Sequence, residues 1–262
     1  MGRFKRSSEN GQNDIRGHFM KKLLIANRGE IAVRLIRAGK ELGIKTVAIF
    51  AKEDEFAVHR FKADESYLVG EGKAPIAAYL DIDDIIRIAK ETGADAIHPG
   101  YGFLSENDEF AAAVEAAGIK FVGPRVEHLK MFGDKITAKQ AAIKAGVPTV
   151  PGTDHPVESI EEALAFGAEH GYPLFVKSAA GGGGRGMRVV EHDDELREAF
   201  ERAASEAQQS FGKAEIYLEK YLQDPKHVEI QILADEQGEV MHLFERDSSI
   251  QRRHQKIIEF AP

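Results

Sequence analysis

A run of glycines between two short apolar segments constrains the fold of this chain more than any other feature. Five of the six residues 181–186 are glycine, and Leu174–Lys177 and Met187–Val190 flank them with β-forming side chains. Glycine lets a backbone approach a ligand closely, so the pattern predicts two strands joined by a phosphate-covering loop. The alternative is a plain linker or hairpin turn. Basic residues on both flanks, Lys177 and Arg188, favour the phosphate interpretation.

The order of residues around the loop excludes two better-known phosphate-binding patterns. A Walker A loop places Lys and Ser or Thr after its glycines and opens a helix. A dinucleotide fingerprint also ends at a helix N-terminus, which receives the phosphate. Here Lys177 precedes the glycines and a predicted strand follows them. The loop therefore belongs to a different class of nucleotide site.

Composition limits the classes of protein that remain. The 262 residues suffice for two domains, and no run approaches the roughly 18 apolar residues of a membrane helix. The chain has no cysteine, which excludes disulfides and suits a reducing cytoplasm. Its net charge of −8 argues against broad nucleic-acid binding. We expect a cytoplasmic protein with no membrane or nucleic-acid partner, and a disordered polar tail over residues 1–19.

The rest of the pattern alternates between strands and helices, which predicts a parallel sheet with helices on both faces. Predicted strands begin at KKLLIAN (21–27), KTVAIF (45–50), ADAIHPG (94–100) and KFVG (120–123). Predicted helices cover Gly29–Leu42, a segment capped by Asp81, and Glu106–Ala117.

A second predicted region begins near Gly133 and mixes helices with strands that need not be parallel. Its predicted helices are Asp134–Ala145, one that starts at a Ser159–Glu162 capping box and ends near His170, and one from Asp193 to about Gln209. Its predicted strands are the two that flank the glycines, then EIYLEKYL (215–222), HVEIQIL (227–233) and VMHLFE (240–245).

Several motifs in one order identify a family. They are IANRGEIAVR (25–34), HPGYGFLSEN (98–107), GDK (133–135), KSAAGGGGRGMRVV (177–190), EKYL (219–222), KHVEIQIL (226–233) and ERDSSIQRRHQK (245–256). From Met20 to Pro262 the chain resembles the biotin carboxylase component of biotin-dependent carboxylases, in the ATP-grasp superfamily. Three segments, HRFKADESYLVG (59–70), LKMFGDK (129–135) and HLFERD (242–247), look most like pyruvate carboxylase. A biotin carboxylase subunit of acetyl-CoA carboxylase and a non-catalytic ATP-binding fragment stay open as alternatives.

The resemblance implies an α/β fold with two domains. A Rossmann-like, parallel-sheet pre-ATP-grasp domain would cover residues 20–133. An incomplete ATP-grasp (α+β) domain would cover 134–262, with a glycine-rich lid at about 153–222. We expect the chain to be truncated at its C-terminus, with the carboxylates that hold Mg²⁺ beyond Pro262, and to be inactive alone.

The resemblance also implies a ligase reaction in which ATP and bicarbonate carboxylate biotin carried on another domain. The implied ligands and partners are therefore ATP, Mg²⁺, bicarbonate and a biotinylated carrier domain, with a possible homo-oligomer. Lys256 would be catalytic, and Tyr101 would either face the bicarbonate and biotin pocket or simply pack. The ATP-binding candidates are Lys135, Lys177, Gly183, Gly184, Met187, Glu219, Lys220, Leu222, His227, Gln251 and His254.

Overall fold

The computed structural model describes residues 20–178, 187–211, 216–235, 237–252 and 255–262. The chain divides into two compact units, the first ending at Gln140 and the second beginning at Ala141. The predicted tail at 1–19 and the whole glycine loop, residues 179–186, lie outside the described residues. The predicted domain boundary after Gly133 and the extent of the lid stay predictions.

The first unit is built on a parallel sheet, as the alternating pattern predicts. Its strands are β1 (Lys22–Ile25), β2 (Lys45–Phe50), β3 (Glu65–Leu68), β4 (Ala96–His98) and β5 (Lys120–Phe121). Within residues 20–140 the strand order is β3-β2-β1-β4-β5. The direction of strand addition reverses at β1, so the topological switch point lies between β1 and β4.

Short helices connect these strands. They are α1 (Gly29–Glu41), α2 (Val58–Lys62), α3 (Pro75–Tyr79), α4 (Ile82–Thr92), α5 (Asp108–Ala116) and α6 (Val126–Gly133), with a single 3-10 turn at Lys52–Asp54. Helix α5 begins two residues later than predicted, because the Asn107 side chain caps it by accepting from the Phe110 N–H. Asp81 caps α4 as predicted, accepting from the Asp84 N–H.

Both faces of the parallel sheet are buried. Leu24 of β1 packs with Ile85 of α4 and Phe110 of α5 on one face. Its neighbour Ile25 packs with Ile36 of α1 on the other. Successive strand residues point to opposite faces, so one strand serves two cores. This arrangement holds the carboxyl ends of β1 and β4 at one fixed edge.

The second unit contains the predicted glycine hairpin. Its elements up to Lys220 are α8 (Ile160–His170), β6 (Leu174–Ser178), β7 (Met187–Val190), α9 (Asp193–Phe211) and β8 (Ile216–Lys220); α7 (Lys135–Lys144) precedes them. Strands β6 and β7 are antiparallel, with Lys177 opposite Met187. The sheet order β7-β6-β8 places β6 in the centre. We call this β7-β6-β8 sheet the hairpin sheet.

The capping box predicted at Ser159 is present in altered form. The Ser159 hydroxyl accepts from the Glu162 N–H, as predicted. The Glu162 carboxylate reaches one residue further back and accepts from the Glu158 N–H. The reciprocal bond of a standard box goes to the cap residue itself.

A second antiparallel sheet follows, which we call the terminal sheet. Its strands are β9 (Val228–Ala234), β10 (Val240–Arg252) and β11 (Gln255–Phe260), in the order β11-β10-β9. Large apolar side chains on all three strands are exposed, among them Ile230, Phe244 and Ile258. Strand β10 extends well beyond the predicted 240–245. A register shift between His242 and Glu245, with Phe244 at φ 63°, bends the strand before it continues.

Candidate functional site

The hairpin sheet separates apolar from charged side chains. Val176 and Leu218 are fully buried and lie in a core that includes Leu196 of α9. The alternate residues Lys177 and Glu219 project from the opposite face and are each about one-third exposed. One face therefore holds the sheet on its helices, and the other is accessible to a ligand.

Lys177 and Glu219, both predicted site residues, form an ion pair across β6 and β8. The register places Lys177 opposite Tyr217 and Glu219 opposite Phe175, so the charged pair is diagonal. The Lys177 ammonium also lies 5.2 Å from the centre of the Phe175 ring. These contacts fix a positive charge near the end of β6, just before the glycine loop.

Lys220 is tied to the opposite side of β8. Its ammonium donates to the Tyr172 carbonyl at 2.8 Å, and its backbone N–H donates to the Pro151 carbonyl at 2.8 Å. Its side chain therefore does not join the Lys177–Glu219 pair. Leu222, just beyond the strand, is about half exposed. The structure thus divides the predicted EKYL segment between two faces.

A second charged cluster lies on the terminal sheet, centred on Glu229. The Glu229 carboxylate accepts from Arg246 at 2.8 Å, from the Ser248 hydroxyl at 2.8 Å and from Lys256. These donors, with Lys256 first, lower the pKa of Glu229 from 4.5 to about 2. The carboxylate is therefore charged at neutral pH and holds Lys256 and Arg246 together.

Two other predicted residues, Gln251 and His227, adjoin this cluster. Gln251 is opposite Lys256 in the β10–β11 register, and its amide donates to the Ser248 carbonyl at 3.0 Å. The His227 ring nitrogen Nδ1 lies 2.5 Å from the Ser248 hydroxyl. The structure therefore brings His227, Gln251 and Lys256 together around Ser248 and Glu229.

The sequence interpretation missed Glu229, Arg246 and Ser248. A signal was available, because His227 and Glu229 alternate along HVEIQIL, as do Arg246 and Ser248 along ERDSS. Residues two apart on a strand share a face. The strand period therefore places these residues beside the candidates already named.

Tyr101 lies at the carboxyl edge of the parallel sheet in the first unit. It is 62% exposed, and its hydroxyl donates to the Glu30 carboxylate in the first turn of α1. The position follows from topology, since the loops after β1 and β4 meet at the switch point. This position of Tyr101 fits both the packing and the ligand-facing interpretation.

Five predicted residues receive no side-chain geometry. Gly183, Gly184 and His254 lie outside the described residues. Lys135 begins α7 and Met187 begins β7, but their side chains are not among the described ones. Across the described chain, no group of three or more His, Asp or Glu side chains is placed to hold a metal ion. None of the described helices is long and apolar enough to cross a membrane.

Two family models match the chain in sequence order. The model "Biotin carboxylase, N-terminal domain" matches residues 19–129. The model "Carbamoyl-phosphate synthase L chain, ATP binding domain" matches residues 134–262. Together they account for nearly all of the chain beyond its first 18 residues.

Curated relatives and solved structures agree with these models. Pyruvate carboxylase of Bacillus subtilis is 59% identical over 93% of this chain, and human mitochondrial pyruvate carboxylase is 55% identical over 93%. The chain spans 21% of the length of each.

Among solved structures, the biotin carboxylase domain dimer of Hydrogenobacter thermophilus 2-oxoglutarate carboxylase, in complex with MgADP, ADP and bicarbonate, has a TM-score of 0.78 at 50% identity. The biotin carboxylase subunit of a pyruvate carboxylase has a TM-score of 0.74 at 52% identity. Each match covers 93% of this chain and 53% of the solved chain.

Proposed function

The chain belongs to the biotin carboxylase family, and we propose that it supplies ATP-binding groups to an enzyme that carboxylates biotin with ATP and bicarbonate. Its curated relatives at 55–59% identity are pyruvate carboxylases. We therefore propose that it acts as the N-terminal part of a pyruvate carboxylase, which converts pyruvate to oxaloacetate. The observation that carries the proposal is the Lys177–Glu219 pair on the open face of the hairpin sheet.

Lys177 suits a phosphate-binding role. Phosphoryl transfer is catalysed mainly by positioning and by neutralising charge, so the site needs fixed cations. The Glu219 carboxylate holds the Lys177 ammonium in one place before ATP arrives. The same carboxylate and the Lys220–Leu222 backbone are proposed to face the adenine edge. The glycines at 183 and 184, with Met187, are proposed to close over the nucleotide, and Lys135 to hold its phosphates.

The Glu229 cluster suits the reacting end of the triphosphate. Lys256 and Arg246 carry two positive charges beside the Glu229 carboxylate, and Arg246 is also paired with Glu259 at 3.3 Å. These ion pairs give an incoming anion donors that are already fixed in place. We propose that Lys256 contacts the γ-phosphate and bicarbonate, with His227, Gln251 and His254 around the ribose and phosphates.

The wider assembly is also a proposal. The Hydrogenobacter relative is a dimer bound to MgADP and bicarbonate, and we propose the same Mg²⁺-nucleotide, bicarbonate and homo-oligomer for this chain. The biotin would arrive on a biotinylated carrier domain, and the location would be the cytoplasm. No group of three or more described Asp, Glu or His side chains is placed to hold Mg²⁺, so no described residue is assigned as a ligand of the ion.

Calorimetric titration of Lys177→Ala with ATP tests the proposal. Loss of one charge-assisted contact should weaken binding by about 1.5–3 kcal/mol, roughly tenfold to a hundredfold in Kd. Lys73→Ala is the matched control, because Lys73 pairs with Asp81 in the first unit. Equal affinity of Lys177→Ala and the control would refute the assignment of Lys177.

A further inference from the structure

One edge of the hairpin sheet is covered by the chain segment 151–157, which we call the strap. Strand β8 lies at this edge, because β6 occupies the centre of the sheet. The Thr153 N–H donates to the Leu218 carbonyl at 2.9 Å, and the Leu218 N–H donates to the Thr153 hydroxyl at 3.1 Å. The Val157 N–H donates to the Ile216 carbonyl at 2.7 Å, and the Val157 side chain is buried. The strap is therefore held on β8 at two separate points.

The start of the strap contacts the part of β8 that carries candidate ATP-binding residues. Gly152 pairs with Glu219 as an isolated bridge, and the Lys220 N–H donates to the Pro151 carbonyl at 2.8 Å. These contacts are made by the backbone of β8 itself. Displacement of the strap would therefore change where Glu219 and Lys220 lie, although neither side chain belongs to the strap.

His155 links the middle of the strap to helix α8. Pro156 has no N–H and cannot donate to β8 at this point. The Nε2 atom of His155 lies 2.8 Å from the Glu162 carboxylate in the first turn of α8, and its Nδ1 atom lies 2.7 Å from the Asp154 carboxylate. The Glu162 carboxylate also accepts from the Glu158 N–H at 2.9 Å, which fixes it in place. The His155 ring therefore joins the strap to a carboxylate that α8 already holds.

The charge of His155 decides how many of these contacts it can make. Both ring nitrogens face a carboxylate, and only the doubly protonated imidazolium can donate to both. The hydrogen bonds to Asp154 and then to Glu162 raise the pKa of His155 above 6.5. The ring is therefore charged below pH 6.5 and loses its charge as the pH rises through the raised pKa. The other titratable side chains of β8 and of residues 158–163 are Glu158, Glu161, Tyr217, Glu219 and Lys220.

We propose that charged His155 is a positioning residue, which attaches the strap to α8 and thereby holds β8 in the position that binds ATP. We call this attachment the His155 latch. The inference rests on the proposed function, because ATP binding at β8 is itself a proposal. A neutral His155 ring has a single N–H and can donate to only one of its two carboxylates. The strap should therefore be held more firmly at pH 6 than at pH 8, and ATP should bind more tightly.

Hydrogen exchange of the Thr153 and Val157 amides measures attachment of the strap in the whole chain without ligand. Their protection, corrected for the intrinsic pH dependence of exchange, should fall about twofold to fivefold from pH 6 to pH 8, the range for an exposed ion pair. Protection should be low at both pH values in His155→Gln and high at both in His155→Arg, which keeps the charge. His192→Gln is the matched control, because His192 is similarly exposed and lies 3.5 Å from Glu195, outside the strap.

Calorimetric titration with Mg-ATP tests whether the His155 latch acts on the proposed site. The ratio of wild-type to His155→Gln affinity cancels the titration of ATP itself, and it should be about two to five at pH 6 and about one at pH 8. Equal strap protection in both proteins at pH 6 would overturn the latch. An affinity ratio that does not change with pH, while strap protection does, would overturn its effect on ATP. If ATP binds to no variant, the proposed function fails, and the exchange data alone decide whether the latch exists.

Discussion

Replacing Glu229 with Gln should weaken the terminal sheet by a predictable amount. The pKa of Glu229 falls from 4.5 to about 2 because Lys256, Arg246 and Ser248 donate to its carboxylate. At about 1.4 kcal/mol per pKa unit, that shift corresponds to at most about 3 kcal/mol. The side chain is still 24% exposed, and solvent screening reduces the expected loss to about 1–2 kcal/mol at pH 7.

The sign of the pH dependence follows from the direction of the shift. A lowered carboxyl pKa stabilises the folded state above pH 4.5, and the contribution disappears as the pH falls toward 2. The difference between wild type and Glu229→Gln should therefore be full at pH 7 and smaller at pH 3.5.

Hydrogen exchange of the β9 and β10 amides, followed by mass spectrometry, measures the free energy of local unfolding of the terminal sheet in both proteins. Glu239→Gln is the control, because Glu239 is exposed in the turn between β9 and β10 and forms no ion pair with any described side chain. A loss that is equal in Glu229→Gln and the control, or independent of pH, would refute the electrostatic reasoning.

Two further predictions concern the cores of the two units. Leu218→Ala should destabilise the hairpin sheet by about 2–4 kcal/mol, because Leu218 is fully buried, and hydrogen exchange in β6 and β8 measures it; an effect below 1 kcal/mol would contradict that packing. Burial lowers the pKa of His59 below 6.5, so the stability of the first unit should fall as the pH drops below 6.5. Urea unfolding of wild type and His59→Phe between pH 7.5 and about 5.5 tests this, and an equal slope in both proteins would exclude His59 as the cause.

The sequence predicts the architecture where periodicity is strong. Alternating strands and helices predict the parallel sheet, and the glycine run predicts the β6–β7 hairpin. Strand β3 is missed because its four residues are all half-buried and include charged Glu65. Strand β11 is missed because its first residues belong to the basic run QRRHQK, whose charges do not show a strand pattern. Pairing with neighbouring strands makes β3 and β11 part of their sheets, and the local sequence pattern carries no information about that pairing.

In the candidate site, too, the sequence predicts which residues matter but not which residues they pair with. Lys177, Glu219, His227, Gln251 and Lys256 are all named from motifs. Their partners depend on strand register, which places Lys177 diagonal to Glu219 and Gln251 opposite Lys256. Register is fixed by packing of whole sheets, so the ion pairs emerge only from the fold.

We propose that ATP binds the charged faces of the hairpin and terminal sheets. Hydrogen exchange of the whole chain with and without Mg-ATP tests this binding site most directly. With ATP bound there, exchange should be slower in peptides that cover β6 to β7, β8 and the β10–β11 segment around Lys256. Binding with protection confined to the parallel-sheet unit, or no protection at saturating ATP, would contradict it.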